Sequence, residues 1–319
     1  MLTALCIALL GSPSGEASGG RRVKHVVYLM FENHAFDNLL GWHPHVDGVN
    51  VSKSKRVCNN FRNKTYCPTT RGAYVDPDPR HGLAATAEQL YGFGGDTNAS
   101  EHNPAATTLA GFVSNYAKAT ESASEAPAIM DCFLPPHVPI ISTLANEFTL
   151  LDGYHASVPG PTFPNRLFAM SSTSNGFTEN DIGQTVGGWP QRSIFSQANE
   201  AKASWKVYFS DVPSTFLLTD ARNSSDLSKY SGLEGFYQDA KAGQLPTLSW
   251  LDPGYFDLPG IPATDQHPSH DVLDGERLLK SVYEALRDSP SWDETVLLVT
   301  YDEHGGYAEI AVGISARST

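Results

Sequence analysis

Runs of consecutive apolar residues alternate with amphipathic stretches along the chain. The runs at 23–31, 205–210, 247–251 and 295–301 are rich in β-branched and aromatic residues and predict buried strands. A further strand-like stretch, TLLDGYHAS, begins at Thr149. Between these runs, the chain shows the wider spacing of amphipathic helices.

The clearest helix is predicted at 270–290, where apolar side chains share one face and Pro290 ends the pattern. Shorter helices are predicted at 35–40, from about residue 83, at 138–148 and from about Pro164. Strands that alternate with helices predict an α/β fold with a largely parallel central sheet flanked by helices. In such a sheet, ligands bind beyond the carboxyl ends of the strands.

Composition narrows the class of protein. The chain has 319 residues, 40% of them hydrophobic, which suits one large domain or two modest ones. The formal net charge is −13, and no cluster of basic residues is visible. Nucleic acid is therefore excluded as an expected partner, because its phosphates require a basic surface.

The N-terminus resembles a secretory signal peptide. A short apolar run, LTALCIALL, is followed by small residues, so we expect residues 1–19 to be removed and residues 20–319 to form the functional domain. The alternative is an uncleaved, frayed terminus. Cys58 and Cys67 flank a polar loop and predict a local disulfide, which leaves Cys132 as a buried thiol. With four Asn-x-Ser/Thr sequons, at Asn50, Asn63, Asn98 and Asn223, these features predict a secreted or extracellular glycoprotein.

Two acidic pairs follow apolar strands. Glu32 and Asn33 come after the first strand, and Asp302 and Glu303 come after the last. Their oxygens are the hard ligands that Ca²⁺, Mg²⁺ or Mn²⁺ prefer, and carboxylates also bind Zn²⁺. Either pair alone is as well explained by a helix cap or a solvated turn. Two such pairs at strand ends make a divalent metal site competitive.

Candidate catalytic groups lie in loops. Thr162, in GPTFPNR, precedes a predicted helix, where free backbone N–H groups would stabilise an alkoxide or bind a phosphate. The alternative is an ordinary N-cap threonine. Arg166 could pair with an anion or be a surface base. His81, His267 and His270 could donate hydrogen bonds to a phosphoryl oxygen or protonate a leaving group, or could be ordinary loop histidines.

Five segments, taken together, resemble the phosphoesterase family that includes non-specific phospholipases C and certain acid phosphatases, within the alkaline phosphatase-like superfamily. They stand in the family's order across residues 23–307. They read VKHVVYLMFENHAFDNLLGW, DPDPRHGLAATAEQLYG, ASVPGPTFPNRLFAMSSTSNG, DQHPSHDVLDGERLLKSVYEAL and LLVTYDEHGGY.

The resemblance implies a role for each matching position. Glu32 with Asn33, and Asp302 with Glu303, would be metal ligands, and Thr162 would be the nucleophile that forms a phosphothreonine. His81 and His267 would contact the phosphoryl group. The implied substrate is a phospholipid or another phosphate ester, with peripheral contact to a membrane.

The sequence also departs from the family's pattern. The family commonly has Arg-Ser after its Glu-Asn pair, where this chain has His34-Ala35, and a polar residue where this chain has Phe163. The family's later Tyr-Asp-His stretch and C-terminal part are missing, so we expect a C-terminally truncated domain. Three readings therefore remain open beside a phospholipase C: an acid phosphatase for soluble monoesters, an inactive remnant that only binds phosphate or lipid, and a structural glycoprotein.

Overall fold

The fold is built on one seven-stranded sheet. The computed structural model describes the backbone of residues 6–10 and, in full, residues 23–44, 46, 58–72, 74–92 and 108–309. The strands of the main sheet are β1 (Cys6–Leu10), β2 (His25–Phe31), β5 (Thr149–Leu150), β6 (Trp205–Phe209), β7 (Tyr230–Gly232), β8 (Leu248–Asp252) and β9 (Thr295–Tyr301). A separate hairpin joins β3 (Asn59–Phe61) to β4 (Lys64–Tyr66).

The strand order is β5-β1-β9-β2-β8-β6-β7. Strands β9, β2, β8, β6 and β7 run parallel, and β1 pairs antiparallel with both β9 and β5. The prediction of an α/β fold with a largely parallel central sheet is confirmed. Because β2 lies between β9 and β8, the carboxyl ends of these three strands meet at one edge of the sheet.

Helices cover both faces of the sheet. On one face, β2 and β9 side chains such as Leu29 and Val299 pack with Ile141, Leu279 and Val282. On the other face, Trp250 and Trp205 pack with side chains such as Leu167. The helices are α1 (Phe36–Leu40), α2 (Leu83–Tyr91), α3 (Phe112–Ala119), α4 (Pro139–Glu147), α5 (Thr162–Ser171), α6 (Ile182–Gly187), α7 (Ile194–Glu200), α8 (Leu233–Ala242) and α9 (Val272–Arg287). In the part of the chain that the structure describes, no helix is long and apolar enough to span a bilayer.

Most predicted elements are present, with shifted ends. Helix α5 begins at Thr162 instead of Pro164, and the strand-like stretch from Thr149 forms only the two residues of β5. The expected disulfide joins Cys58 to Cys67, and Cys132 is a buried cysteine outside that disulfide, as predicted. Of the four sequons, Asn63 and Asn223 lie at exposed positions, and Asn50 and Asn98 lie outside the described residues.

The predicted signal peptide overlaps β1, which pairs with β9 over the register Cys6↔Thr300 to Leu10↔Val296. Nothing in this pairing tests whether residues 1–19 are cleaved. The signal peptide therefore stays a prediction.

A buried acid joins two helices on one face of the sheet. Glu276 of α9 is 2% exposed, and its carboxylate accepts hydrogen bonds from the backbone N–H groups of Ile140 and Ile141, at 2.6 and 3.1 Å. Burial raises the pKa of Glu276 from 4.5 to about 7, although these two hydrogen bonds lower it. Ionisation therefore opposes folding here, and the stability that the neutral acid contributes declines as pH rises from 4.5 through 7.

We expect Glu276→Gln to remove this pH dependence. Between pH 4.5 and pH 8, the free energy of unfolding of the variant should rise relative to wild type by about 3 kcal/mol, which follows from the size of the pKa change. Urea unfolding at a series of pH values measures the difference. The exposed Glu234→Gln is the matched control. A Glu276→Gln difference that stays constant across pH would contradict the prediction.

Candidate active site

The two predicted acidic pairs meet where adjacent parallel strands end. The register Phe31↔Tyr301 places the residues after β2 beside those after β9. The backbone N–H of Asn33 donates to Asp302 Oδ1 at 3.1 Å. Asn33 adopts a left-handed conformation with φ of 56°, and its backbone lies against Gly305, where a Cβ would come within 1.9 Å of the Asn33 carbonyl oxygen. Glycine at 305 therefore permits the close approach of the two loops.

Three oxygens of these residues are buried and have no hydrogen-bond donor. They are Asn33 Oδ1, Asp302 Oδ2 and Glu303 Oε1. Their residues are at most 2% exposed. A buried polar atom without a partner is unfavourable, and one that belongs to a carboxylate is more so. The three atoms therefore have the chemistry of ligands for a hard cation.

Arg166 of α5 connects the acidic pairs and is not the surface base that the sequence left open. Its side chain is 1% exposed, and its Nη2 lies 2.9 Å from Glu32 Oε1. Its Nε lies 3.4 Å from Asp302 Oδ2, and its Nη1 lies 3.8 Å from Asp252 Oδ1. The ring of Tyr255 lies against the guanidinium, with Cζ 5.2 Å from the ring centroid. The Arg166 guanidinium is therefore within ion-pair distance of three buried carboxylates.

Buried carboxylates outnumber the one buried guanidinium in this cluster. Burial raises the pKa of Glu32, and Asp302 raises it further, although Arg166 lowers it. Burial also raises the pKa of Asp302 to about 6, against the effect of Arg166. Burial lowers the pKa of the Arg166 guanidinium, but Tyr255, Glu32 and Asp302 raise it more. An added cation would relieve the excess of negative charge.

Thr162 is the first residue of α5. The N-cap is Pro161, so the alternative of an ordinary N-cap threonine is wrong. Asn165 holds the turn before the helix, because its amide donates to the carbonyls of Val158, Gly160 and Pro161 and accepts from the N–H of Val158. This turn places the Thr162 side chain in the positive field of the helix N-terminus.

His81 and His267 approach each other, with ring centroids 6.1 Å apart. His81 Nε2 lies 3.3 Å from Asn33 Nδ2 and 3.9 Å from Glu303 Oε1. Burial lowers the pKa of His81, but Glu303 and Asp78 raise it more. Ligand atoms of Asp78, His81 and His267 all lie within 4.8 Å of one another, so these three residues are a candidate metal-binding group. Asp78 has no distinguishing feature in the sequence, where it is one of two acids in the Pro-rich stretch DPDPR.

Glu303 and His304 are also paired in the interior. Burial raises the pKa of Glu303, but His81 and a hydrogen bond from His304 lower it more. Burial lowers the pKa of His304, whose Nε2 lies 2.8 Å from Gln89 Oε1. His304 is fully buried and therefore braces Glu303 without reaching the cavity.

Two further buried acids were missed from the sequence. Asp252 ends β8 and accepts hydrogen bonds from Ser214, Tyr255 and Trp250. Asp265 lies in the loop before α9, accepts from His270 Nδ1 at 2.7 Å, and offers its carbonyl to the N–H of Glu32 at 3.0 Å. The hydrogen bond to Asp265 raises the pKa of His270. Asp252 could have been recognised, because it follows an apolar strand as Asp302 does.

One cavity is lined both by Thr162 and by Glu32 and Arg166 of the acidic cluster. It has a volume of about 770 Å³ and is lined by Glu32, Thr162, Arg166, Asp265, His267 and His270 at its polar end. Aromatic and aliphatic side chains, among them Phe163, Phe216 and Phe256, line the rest. The other residues of the acidic cluster and His81 lie behind this lining. They are Asn33, Asp302, Glu303 and His81, and they contact the polar end through Glu32, Arg166 and each other. The cavity can therefore hold a ligand with one anionic and one apolar end.

The chain matches a known protein family over most of its length. A family model described as "Phosphoesterase family" matches residues 23–314, which includes every candidate site residue. The chain belongs to the phosphoesterase family. This membership confirms the predicted resemblance.

Curated relatives agree with this assignment. Non-specific phospholipase C6 of Arabidopsis thaliana is 40% identical over 291 residues, covering 89% of this chain and 54% of that protein. Non-specific phospholipase C4 of the same plant is 38% identical, covering 91% of this chain and 55% of that protein. Phospholipase C A of Mycobacterium tuberculosis is 27% identical, covering 89% and 58%. The chain thus spans just over half the length of the curated relatives it matches.

Proposed function

We propose that this phosphoesterase is a metal-dependent phospholipase C that hydrolyses phospholipids through a phosphothreonine at Thr162. The observation that carries the proposal is one cavity in which Thr162, at a helix N-terminus, faces the same space as Glu32 and Arg166 of the acidic cluster. The apolar remainder of the cavity suits the glycerol and acyl portion of a lipid. The printed names of the relatives support the same substrate class.

The first step is a displacement at phosphorus. The Thr162 hydroxyl oxygen attacks the phosphorus of the lipid, and the bond from phosphorus to the glycerol oxygen breaks. At the start of α5, the Phe163 N–H donates to Asn180 Oδ1 and Pro164 has no N–H. We therefore assign the stabilisation of negative charge on the phosphoryl oxygens to the Thr162 N–H and the Arg166 guanidinium. His267 Nδ1 contacts the Pro268 carbonyl, which can only accept, so the proton lies on Nδ1 and Nε2 is the nitrogen that can take up a proton. When Nε2 holds no cation, we assign it the uptake of the Thr162 hydroxyl proton and its return in the second step. The glycerol oxygen takes a proton from water and leaves as diacylglycerol.

In the second step, water attacks the phosphothreonine. The bond from phosphorus to the Thr162 oxygen breaks, the phosphorylated head group leaves, and the hydroxyl recovers its proton. Glu32, Asn33, Asp302 and Glu303 would hold a divalent cation, and Asp78, His81 and His267 are a second candidate group. A bound cation would lower the pKa of the attacking hydroxyl and offset charge on the phosphoryl oxygens.

The test is hydrolysis by the purified chain, with phosphatidylcholine and a soluble aryl phosphate assayed in parallel. Release of phosphocholine that a chelator abolishes and added divalent cation restores is the expected result. Turnover of the aryl phosphate alone would indicate that the protein is an acid phosphatase and not a phospholipase C. A folded chain that turns over neither substrate would support the inactive remnant.

We expect Asp302→Asn to weaken binding of the divalent cation at least about tenfold, because it neutralises a proposed ligand whose Oδ2 accepts no hydrogen bond and has an ion-pair contact with Arg166 Nε at 3.4 Å. Isothermal titration calorimetry with Ca²⁺, Mg²⁺, Mn²⁺ and Zn²⁺ measures the effect and identifies the preferred ion. Asp293→Asn, in the 3-10 helix Trp292–Glu294 that precedes β9, is the matched control at the opposite end of that strand. Equal affinities for Asp302→Asn and wild type would remove Asp302 from the ligand set.

We also propose that the protein is secreted. The Cys58–Cys67 disulfide supports this, because such bonds persist in oxidising compartments. Exposed Asn63 and Asn223 are available for glycosylation. Expression in a eukaryotic host, with analysis of the medium for a glycosidase-sensitive product, tests the proposal. A product that is retained in the cytosol would contradict it.

A further inference from the structure

Exposed apolar side chains surround the mouth of the cavity. Large apolar side chains are normally scattered singly on a protein surface. Here six come from only three segments that also line the cavity, namely 180–188, 211–216 and 255–262. They are Ile182, Val186, Val212, Phe256, Leu258 and Ile261, which we call the rim.

The first segment is helix α6, which carries Ile182 and Val186 one turn apart, so they share a face. Ile182 is 69% exposed and Val186 is 83% exposed, and α6 has no buried residue. Arg222 holds the helix in place, because its guanidinium donates to the carbonyls of Thr185, Val186 and Phe216. An apolar helix face held outward in this way is poorly explained by folding of the domain alone.

The second and third segments are tied together. Asp211 accepts hydrogen bonds from the backbone N–H groups of Tyr255 and Phe256, at 2.7 and 3.0 Å, and Val212 follows Asp211 directly. Leu258 and Ile261 then form a tight turn, in which each backbone N–H donates to the other residue's carbonyl at 2.9 Å. The turn presents Ile261 with 63% of its surface exposed. Hydrogen bonds to the backbone of these two segments therefore fix the positions of their exposed apolar side chains.

Charge restricts what this rim can contact. The three segments contain Asp181, Asp211 and Asp257 and no Lys or Arg. Of the two arginines that line the cavity, Arg222 is bonded to these segments, and its guanidinium is committed to the three carbonyls. An anionic bilayer would be repelled by the acids, whereas a zwitterionic one carries no net surface charge to oppose apolar insertion.

We propose that the rim docks on the surface of an electrically neutral phospholipid bilayer, so that a lipid enters the cavity directly from the membrane. The inference rests on the proposed function, since it specifies the physical state of that site's substrate. Rim side chains would enter the boundary between head groups and acyl chains, and the cavity mouth would then open onto the lipid glycerol. Binding would be driven by burial of apolar area and would depend little on salt.

The test uses the full chain and its double variant Val186→Ser/Ile261→Ser, which changes two rim residues that do not line the cavity. Flotation with phosphatidylcholine vesicles should show at least tenfold weaker binding by the variant and a similar loss of hydrolysis of vesicle lipid. Hydrolysis of a soluble aryl phosphocholine ester should be unchanged, because the cavity is intact. The control is Leu227→Ser, an exposed apolar residue outside the rim, which should behave as wild type in all assays.

The outcomes separate the two proposals. Equal vesicle binding by wild type and the double variant would overturn docking, as would binding that requires phosphatidylserine or that about 0.5 M salt abolishes. Failure of the wild type to bind phosphatidylcholine vesicles at all would overturn it as well. Failure of the wild type to hydrolyse either ester would defeat the proposed function, while vesicle flotation would still report on the rim.

Discussion

Replacement of Thr162 by alanine is expected to reduce phosphoester hydrolysis at least about 10³-fold while leaving the fold intact. Thr162 is the proposed nucleophile, and loss of the nucleophile removes a covalent step outright. Thr162 is 6% exposed at the first turn of α5, and its replacement leaves the Asn165 contacts that hold this turn unchanged. Steady-state hydrolysis of a soluble ester measures the loss, and circular dichroism with urea unfolding checks the fold.

Two variants and one trapping experiment make this prediction specific. Thr162→Ser keeps a hydroxyl at the same position and should retain much of the activity. Thr143→Ala, at an exposed position in α4, should be neutral. Acid quenching during turnover, followed by peptide mass spectrometry, should find phosphate on Thr162. Wild-type turnover by Thr162→Ala, or phosphate on another residue, would reject Thr162 as the nucleophile.

The strand ends of this site were predictable because their signal is local. An apolar run followed by acids marks the carboxyl end of a buried strand, and parallel strands bring such ends together. The pairs at Glu32 and at Asp302 were found in this way, and the structure joins them through the Asn33 N–H. Asp252 also follows an apolar run directly, but it is a single acid before Pro253 and Gly254, for which a solvated turn is the simpler interpretation of the sequence.

Other parts of the site have no local signal. Arg166 lies in a short helix among polar and apolar neighbours, and only the fold buries it against three acids. Asp265 and Asp78 lie in loops that the tertiary structure brings to the strand ends. Acidic or basic residues in loops are usually solvated, so their sequence alone favours the wrong environment.

A repeating apolar face gives the clearest prediction of a helix. In α9, buried side chains recur with helical spacing, and the helix (Val272–Arg287) lies within the predicted range 270–290. Helix α8 buries only Phe236 and Ala240, and α6 buries nothing, so neither gives a periodic signal. The apolar residues of the rim face outward, so they form no buried face that a periodic pattern could reveal. The same outward orientation is what supports the proposed docking surface.

Arg166→Ala is expected to lower the free energy of unfolding by about 3–5 kcal/mol, the loss typical of removing one partner from a buried ion pair. Its guanidinium is the cation shared by Glu32, Asp302 and Asp252, and the last two are at most 2% exposed. Without it, these acids stay buried with their negative charge uncompensated, or take up protons to fold. Urea unfolding at pH 7 in the presence of chelator measures the loss without interference from bound cation.

Arg166→Lys separates the charge of the guanidinium from its shape. A lysine keeps the charge but lacks the planar fork that reaches Glu32, Asp302 and the Met30 carbonyl at once, so an intermediate loss is expected. Arg277→Ala is the matched control: its side chain is 69% exposed and pairs with Asp274 at the surface, where such pairs contribute at most about 1 kcal/mol. If Arg166→Ala destabilised the protein no more than Arg277→Ala does, the acids would not depend on this cation. The charge deficit that motivates the metal site would then have to be reconsidered.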